Sequence, residues 1–103
     1  MTDAGRWKEC RAGVDKLEGR LWAEAGAEYV RALATARRTS ELDGFVSSAR
    51  ERLREDAATW GAVGNALENL GRHQACIEWM SDWRKRDGVR PWMLSGLVVS
   101  QQD

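Results

Sequence analysis

Two apolar stripes separated by one glycine constrain this chain more than any other feature. Between Trp60 and Pro91, the residues Trp60, Val63, Gly64, Leu67 and Leu70 recur at helical spacing. Gly71 interrupts them, and Cys76, Ile77, Met80 and Trp83 form a second stripe before Gly88 and Pro91 close the unit. A hairpin of two such helices cannot bury its apolar faces alone. It needs a neighbour to pack against.

The rest of the chain supplies one. Residues Ala4 to Leu17 carry Trp7, Cys10, Val14 and Leu17 at helical spacing, and Gly19 ends the run. Leu21 to Arg38 read as a long helix with Trp22, Ala25, Gly26, Tyr29 and Leu33 on one stripe. Thr39 or Ser40 is placed to cap the next helix, with Asp43 three residues after Ser40. Leu42, Val46, Ala49 and Leu53 mark the buried face of that helix, with Phe45 beside it. A single Pro and abundant Ala, Leu, Arg and Glu favour helix over sheet. At 103 residues this predicts one all-α domain of about six helices. Six tryptophans supply much of its buried area; Trp79 steps off the Ile77–Met80 face and is expected at the rim.

The span Ala57 to Arg90 is 34 residues long and resembles a tetratricopeptide repeat, whose signature is Trp-x2-Leu-Gly-x2-Tyr, then small residues and an aromatic, then Pro. Trp60, Val63, Gly64 and Leu67 match its first helix, with Val for Leu and Leu for Tyr. Cys76 takes the small place and Met80 the aromatic place of the second helix, whereas Trp83 departs from the family. Trp22, Ala25, Gly26 and Tyr29 echo the same signature. Ala49 precedes Trp60 by eleven positions and Trp83 precedes Leu94 by eleven, the family's step from one repeat to the next. The resemblance implies antiparallel helix hairpins stacked as a short right-handed solenoid. Its parts are a helix at 4–18, a divergent repeat at 20–55, the best-matching repeat at 57–90 and a lone terminal helix at 91–101. A second phase, with Ala25, Tyr29 and Ala32 in a second helix, also fits the early stretch; the eleven-residue link to Trp60 favours the first. Gly26 and Gly64, each costing about 1 kcal/mol in mid-helix relative to Ala, imply a closely approaching neighbour.

Several chemistries lack their residues. Sixteen basic and sixteen acidic side chains cancel, so no net field draws nucleic acid. No apolar run approaches the ~18 residues of a membrane span, and MTDAGRWKEC has no apolar leader core, so a cytoplasmic location is expected. Cys10 and Cys76 read as buried free thiols. His73 and Cys76 share a helical face but have no third ligand, so no metal or other cofactor is expected. Cys76 lies on the apolar stripe rather than beside an exposed base. Gly61 and Gly64 sit inside a helix, not in a phosphate loop. Arg84, Lys85, Arg86 and Arg90 complement a helix C-terminus. No catalytic constellation is present, and the chain is expected not to be an enzyme.

What remains is binding. The family's first helices line a concave groove that receives a peptide or helix of a partner protein. Carried onto this chain, the groove is Glu24, Ala27 and Arg31 on the earlier helix and Ala62, Asn65, Glu68 and Asn69 on the later one. Asn65 follows the matching Gly64, where the family often uses Asn on a ligand's backbone; an amide both donates and accepts. The family's carboxylate clamp is absent, because Gly61 and Ala62 stand in its basic places. The alternative is a helical subunit that forms a homo-oligomer, or docks on an enzyme, through a C-terminal edge at Leu97, Val98 and Val99.

Overall fold

The computed structural model of the chain describes residues 3–86 and 88–94. The described residues are helical, with no strand among them. Six α-helices follow in order: α1 Asp3–Asp15, α2 Gly19–Thr35, α3 Thr39–Ser48, α4 Arg50–Glu55, α5 Ala57–Asn69 and α6 His73–Trp79. A 3-10 turn at Trp83–Lys85 and a helical stretch at 91–94 come after them.

The two hairpins, α2–α3 and α5–α6, repeat each other at a fixed offset. α2 ends at Thr35 and α5 at Asn69; α3 starts at Thr39 and α6 at His73, so both landmarks recur 34 residues later. The connections match in detail. Ala36 has φ −84 and ψ 0, and Leu70 has φ −85 and ψ 3. Arg38 has φ −89 and ψ 67, and Arg72 has φ −93 and ψ 65. Between them Arg37 and Gly71 take the left-handed conformation, with φ 59 and 76. In each turn an amide reaches back over the helix end: Arg38 N–H to the Leu33 carbonyl and Arg72 N–H to the Leu67 carbonyl, both 2.9 Å. This is the capping geometry that glycine favours after a helix. The 91–94 stretch starts 34 residues after Ala57. Replacing Gly71 by Ala puts a Cβ where φ is +76 and is expected to cost about 1–2 kcal/mol. Urea denaturation measures it, and an unchanged midpoint would show that the turn relaxes.

α2 lies alongside α5, which is the most extensive helix contact in the chain. Between them and their second helices, Val30, Leu33, Leu42, Phe45, Leu53, Trp60, Val63, Cys76 and Met80 are fully buried. α1 covers the outside of α2, burying Val14 and setting the Trp7 ring 6.3 Å from Tyr29. The hairpin turns also touch each other. Arg37 donates to the Asn69 carbonyl at 3.2 Å, and Arg72 pairs with Asp43. At Gly64, an added Cβ would lie 2.3 Å from the Met80 sulfur, so this glycine admits the second helix of its own hairpin. Gly26 has nothing nearer than 3.9 Å, and the close approach expected there is absent.

Four local expectations change. The helix expected through Leu53 breaks at Ala49, where Ser48 hydroxyl donates to the Phe45 carbonyl at 3.3 Å, a local bond that competes with the helical ladder. Phe45 is central rather than beside the core, edge-on to Tyr29 at 4.9 Å. Position 38, not 39 or 40, is the N-cap of α3, without a side-chain cap, and Asp43 serves Arg72 instead. α6 stops at Trp79 instead of running to Trp83.

The reason lies in a polar knot at that end. Trp79 is buried, not at the rim: its indole N–H donates to the Trp60 carbonyl at 2.9 Å, and the Trp60 indole N–H donates to the Trp79 carbonyl at 3.3 Å. Arg54 donates to the same Trp79 carbonyl at 2.7 Å and pairs with Asp82 at 2.9 Å. Arg86 pairs with Asp82 at 3.2 Å, bonds the Arg54 carbonyl, and lies 4.7 Å over the Trp60 ring. Arg86 is therefore internal glue rather than part of a basic surface. Partial burial works to raise the Asp82 pKa, but the hydrogen bonds and charges of Arg54 and Arg86 outweigh it and hold it below the usual carboxylate value. A depressed folded pKa adds stability above the unfolded value, near 4, that disappears as pH falls through the folded value. Asp82→Asn is expected to cost about 1 kcal/mol at neutral pH for this partly exposed pair. The gap to the parent chain closes below about pH 4; denaturant melts at several pH values measure it, and a pH-independent gap would rule out the ion pair as its source.

Candidate functional site

α2 and α5 run side by side because their apolar stripes share one core, and this brings two sets of small and polar residues onto one face. α5 begins cleanly because Asp56 caps it, accepting from the Ala58 amide at 2.8 Å and the Thr59 amide at 3.1 Å. Thr59 is buried, with its hydroxyl on the Leu53 carbonyl at 2.7 Å and its methyl 3.9 Å from the Cβ position of Gly26.

On this face Glu24, Ala27 and Arg31 line a cleft of ≈ 530 Å³ together with Arg20, Glu28 and Asp56. Glu24 pairs with Arg20 at 3.1 Å and Arg31 with Glu28 at 2.7 Å, so the cleft walls are ion pairs held along α2. Ala27 is a small buried floor. Arg20, Glu28 and Asp56 lie outside the groove read from the sequence. Their signal was spacing: Arg20 and Glu28 stand four residues either side of Glu24, on the same helical stripe.

Further along α5 the structure places the chain itself on the face. A Cβ at Gly61 would lie 2.5 Å from Met93 Cγ and 2.9 Å from its Cβ, so Met93 is seated in a notch that only glycine leaves open. Met93 is 4% exposed, Trp92 42%. Asn65 donates its side-chain amide to the Trp92 carbonyl at 3.2 Å. The Arg31 guanidinium stands 5.9 Å from the Trp92 ring centre, so Trp92 joins the α2 and α5 halves of the groove. Ala62 is almost fully buried. Glu68 and Asn69 are half-buried and exposed near the C-terminal end of α5, away from the cleft; the Asn69 carbonyl is taken by Arg37. Trp92 and Met93 were not among the expected groove residues. Leu97, Val98 and Val99 lie outside the described residues.

A larger cleft of ≈ 840 Å³ opens between α1 and the α3–α4 break. Its arginines are engaged within the fold. Arg11 bonds Ser48, and Arg52 lies 4.2 Å over the Trp22 ring while donating to the Leu17 carbonyl at 3.2 Å. Cys76 is buried against the Met80 sulfur at 4.0 Å, whereas Cys10 is exposed rather than buried; both are free thiols. Among the described residues, no group of three or more His, Cys, Asp or Glu could hold a metal ion, and no helix is long and apolar enough to cross a membrane. No protein-family model, curated protein or solved structure matches this chain.

Proposed function

We propose that this chain is a tetratricopeptide-like interaction module that binds a peptide or helix of a partner protein on the α2–α5 face, without catalysis. The observation that carries the reading is the 34-residue recurrence of helix ends, left-handed turns and helix starts, with the two first helices side by side. Hairpins stacked at a constant offset form an extended face rather than a closed pocket, and such faces suit extended ligands. The cleft walls of Glu24, Glu28 and Arg31 offer charges to a partner, and Ala27 leaves room for its side chains. The stacked, right-handed solenoid and a cytoplasmic setting belong to this same reading.

Peptide-display selection on the intact chain tests it. Enriched peptides are expected to share a sequence pattern and to lose about tenfold or more in affinity, some 1.4 kcal/mol, against Arg31→Glu or Glu24→Lys. They should keep binding Lys16→Glu, a change at an exposed residue between α1 and α2. Selection without a shared pattern, or peptides that bind all three variants equally, would sink the reading.

A further inference from the structure

The face that the functional reading assigns to a partner already holds a chain segment, and its contacts specify what that segment must be. We infer that Gly61, Asn65 and Arg31 form a recognition site for an aromatic residue followed by methionine, filled in cis by Trp92–Met93 and opened when a partner segment of the same chemistry displaces them. The inference rests on the reading above and adds the class of ligand and its intramolecular competitor.

Each contact selects a different feature. The notch over Gly61 takes a narrow, unbranched side chain, as Met93 shows with its Cγ 2.5 Å from the absent Cβ position. A β-branched residue, with two heavy atoms on Cβ, is too wide there. Asn65 holds a main-chain carbonyl, which fixes the register of the bound segment whatever its side chains. Arg31 offers its cation to a ring, so the position before the methionine is aromatic.

Two observations make the segment exchangeable rather than part of the core. Only Met93 is inserted; Trp92 keeps 42% of its surface, and Arg90 and Pro91 are exposed. The segment is tethered through Gly88, whose φ of 74 and exposed position make it a natural pivot. A tethered ligand acts at an effective concentration in the millimolar range, so it shields the site from weak ligands and yields to strong ones.

The test titrates the intact chain with a fluorescein-labelled peptide of residues 88–94, read by anisotropy. While Trp92–Met93 fills the site, apparent affinity falls by the fraction of chains that are open. Met93→Asp, which empties the notch, is expected to bind the peptide about tenfold or more tightly than the parent chain. Trp92→Lys, which sets a like charge before Arg31 at a half-exposed position, is expected to do the same and keeps the test alive if Met93→Asp does not fold. Gly61→Leu added to either release variant should abolish binding. Release variants that are folded by circular dichroism yet bind no more tightly than the parent would overturn the inference, as would binding that survives Gly61→Leu. If display-selected peptides still depend on Glu24 and Arg31 in that event, the partner-binding reading stands and only the competitor is wrong.

Discussion

Trp60→Ala is expected to destabilise the chain by about 3–5 kcal/mol, as truncation of a buried aromatic does. Trp60 is fully buried at the junction of three elements, so its loss leaves a cavity that no single side chain can fill. Two further contacts go with it. The Trp79 carbonyl loses the indole donor at 3.3 Å, and Arg86 loses the ring 4.7 Å beneath its guanidinium. A domain of this size has only about 5–15 kcal/mol in total, so the variant should melt lower by about 15 °C or more, or be partly unfolded at room temperature. Trp60→Phe restores most of the volume but not the indole donor, and should recover more than half of the loss. Thermal melts of the two variants separate packing from hydrogen bonding. A Trp60→Ala chain within about 1 kcal/mol of the parent would contradict the burial described for this ring.

The second large effect lies in the other hairpin. Phe45→Ala is expected to cost about 3–5 kcal/mol, because Phe45 is fully buried against Tyr29 at 4.9 Å and Trp22 at 6.2 Å. Its diagnostic value is cooperativity. α2 packs along α5 over the longest helix contact in the chain, so damage to the first hairpin should remove support from the second. One transition, shifted as a whole, is the expected result by both far-ultraviolet circular dichroism and tryptophan fluorescence. Two separated transitions would mean that the hairpins are independent units.

The all-helical class was legible because apolar residues recur at helical spacing and only one proline interrupts them. Both ends of the α5–α6 turn were legible too, since Gly71 is the residue a left-handed helix cap favours. The corresponding turn after α2 was hidden, because Arg37 occupies that conformation without being glycine. Matching Trp22 to Trp60 gave the first hairpin an offset of 38, whereas the helix ends run at 34. The extra turn sits at the start of α2, where a tryptophan match conceals it.

Helical periodicity also carried α6 too far. The stripe continues to Trp83, but Asp82 is bound by Arg54, 28 positions away, and such a contact leaves no periodic trace. Of the candidate groove, Glu24, Ala27, Arg31 and Asn65 were legible from helix position. The occupant of its α5 end was not. Nothing in the spacing of Trp92 and Met93 says that they fold back onto Gly61.

The constant offset between the two hairpin turns has a consequence for how the gene tolerates change in length. Arg37 reaches Asn69, and Arg72 reaches Asp43, only because both turns stand at the same step of the stack. Adding or deleting one or two codons inside α3 or α6 rotates the following apolar stripe away from its neighbours and breaks both bridges. A duplication of the codons for residues 57–90 instead hands each bridge an equivalent partner, because it inserts one complete period. Length variation in relatives of this chain should therefore come in steps of 34.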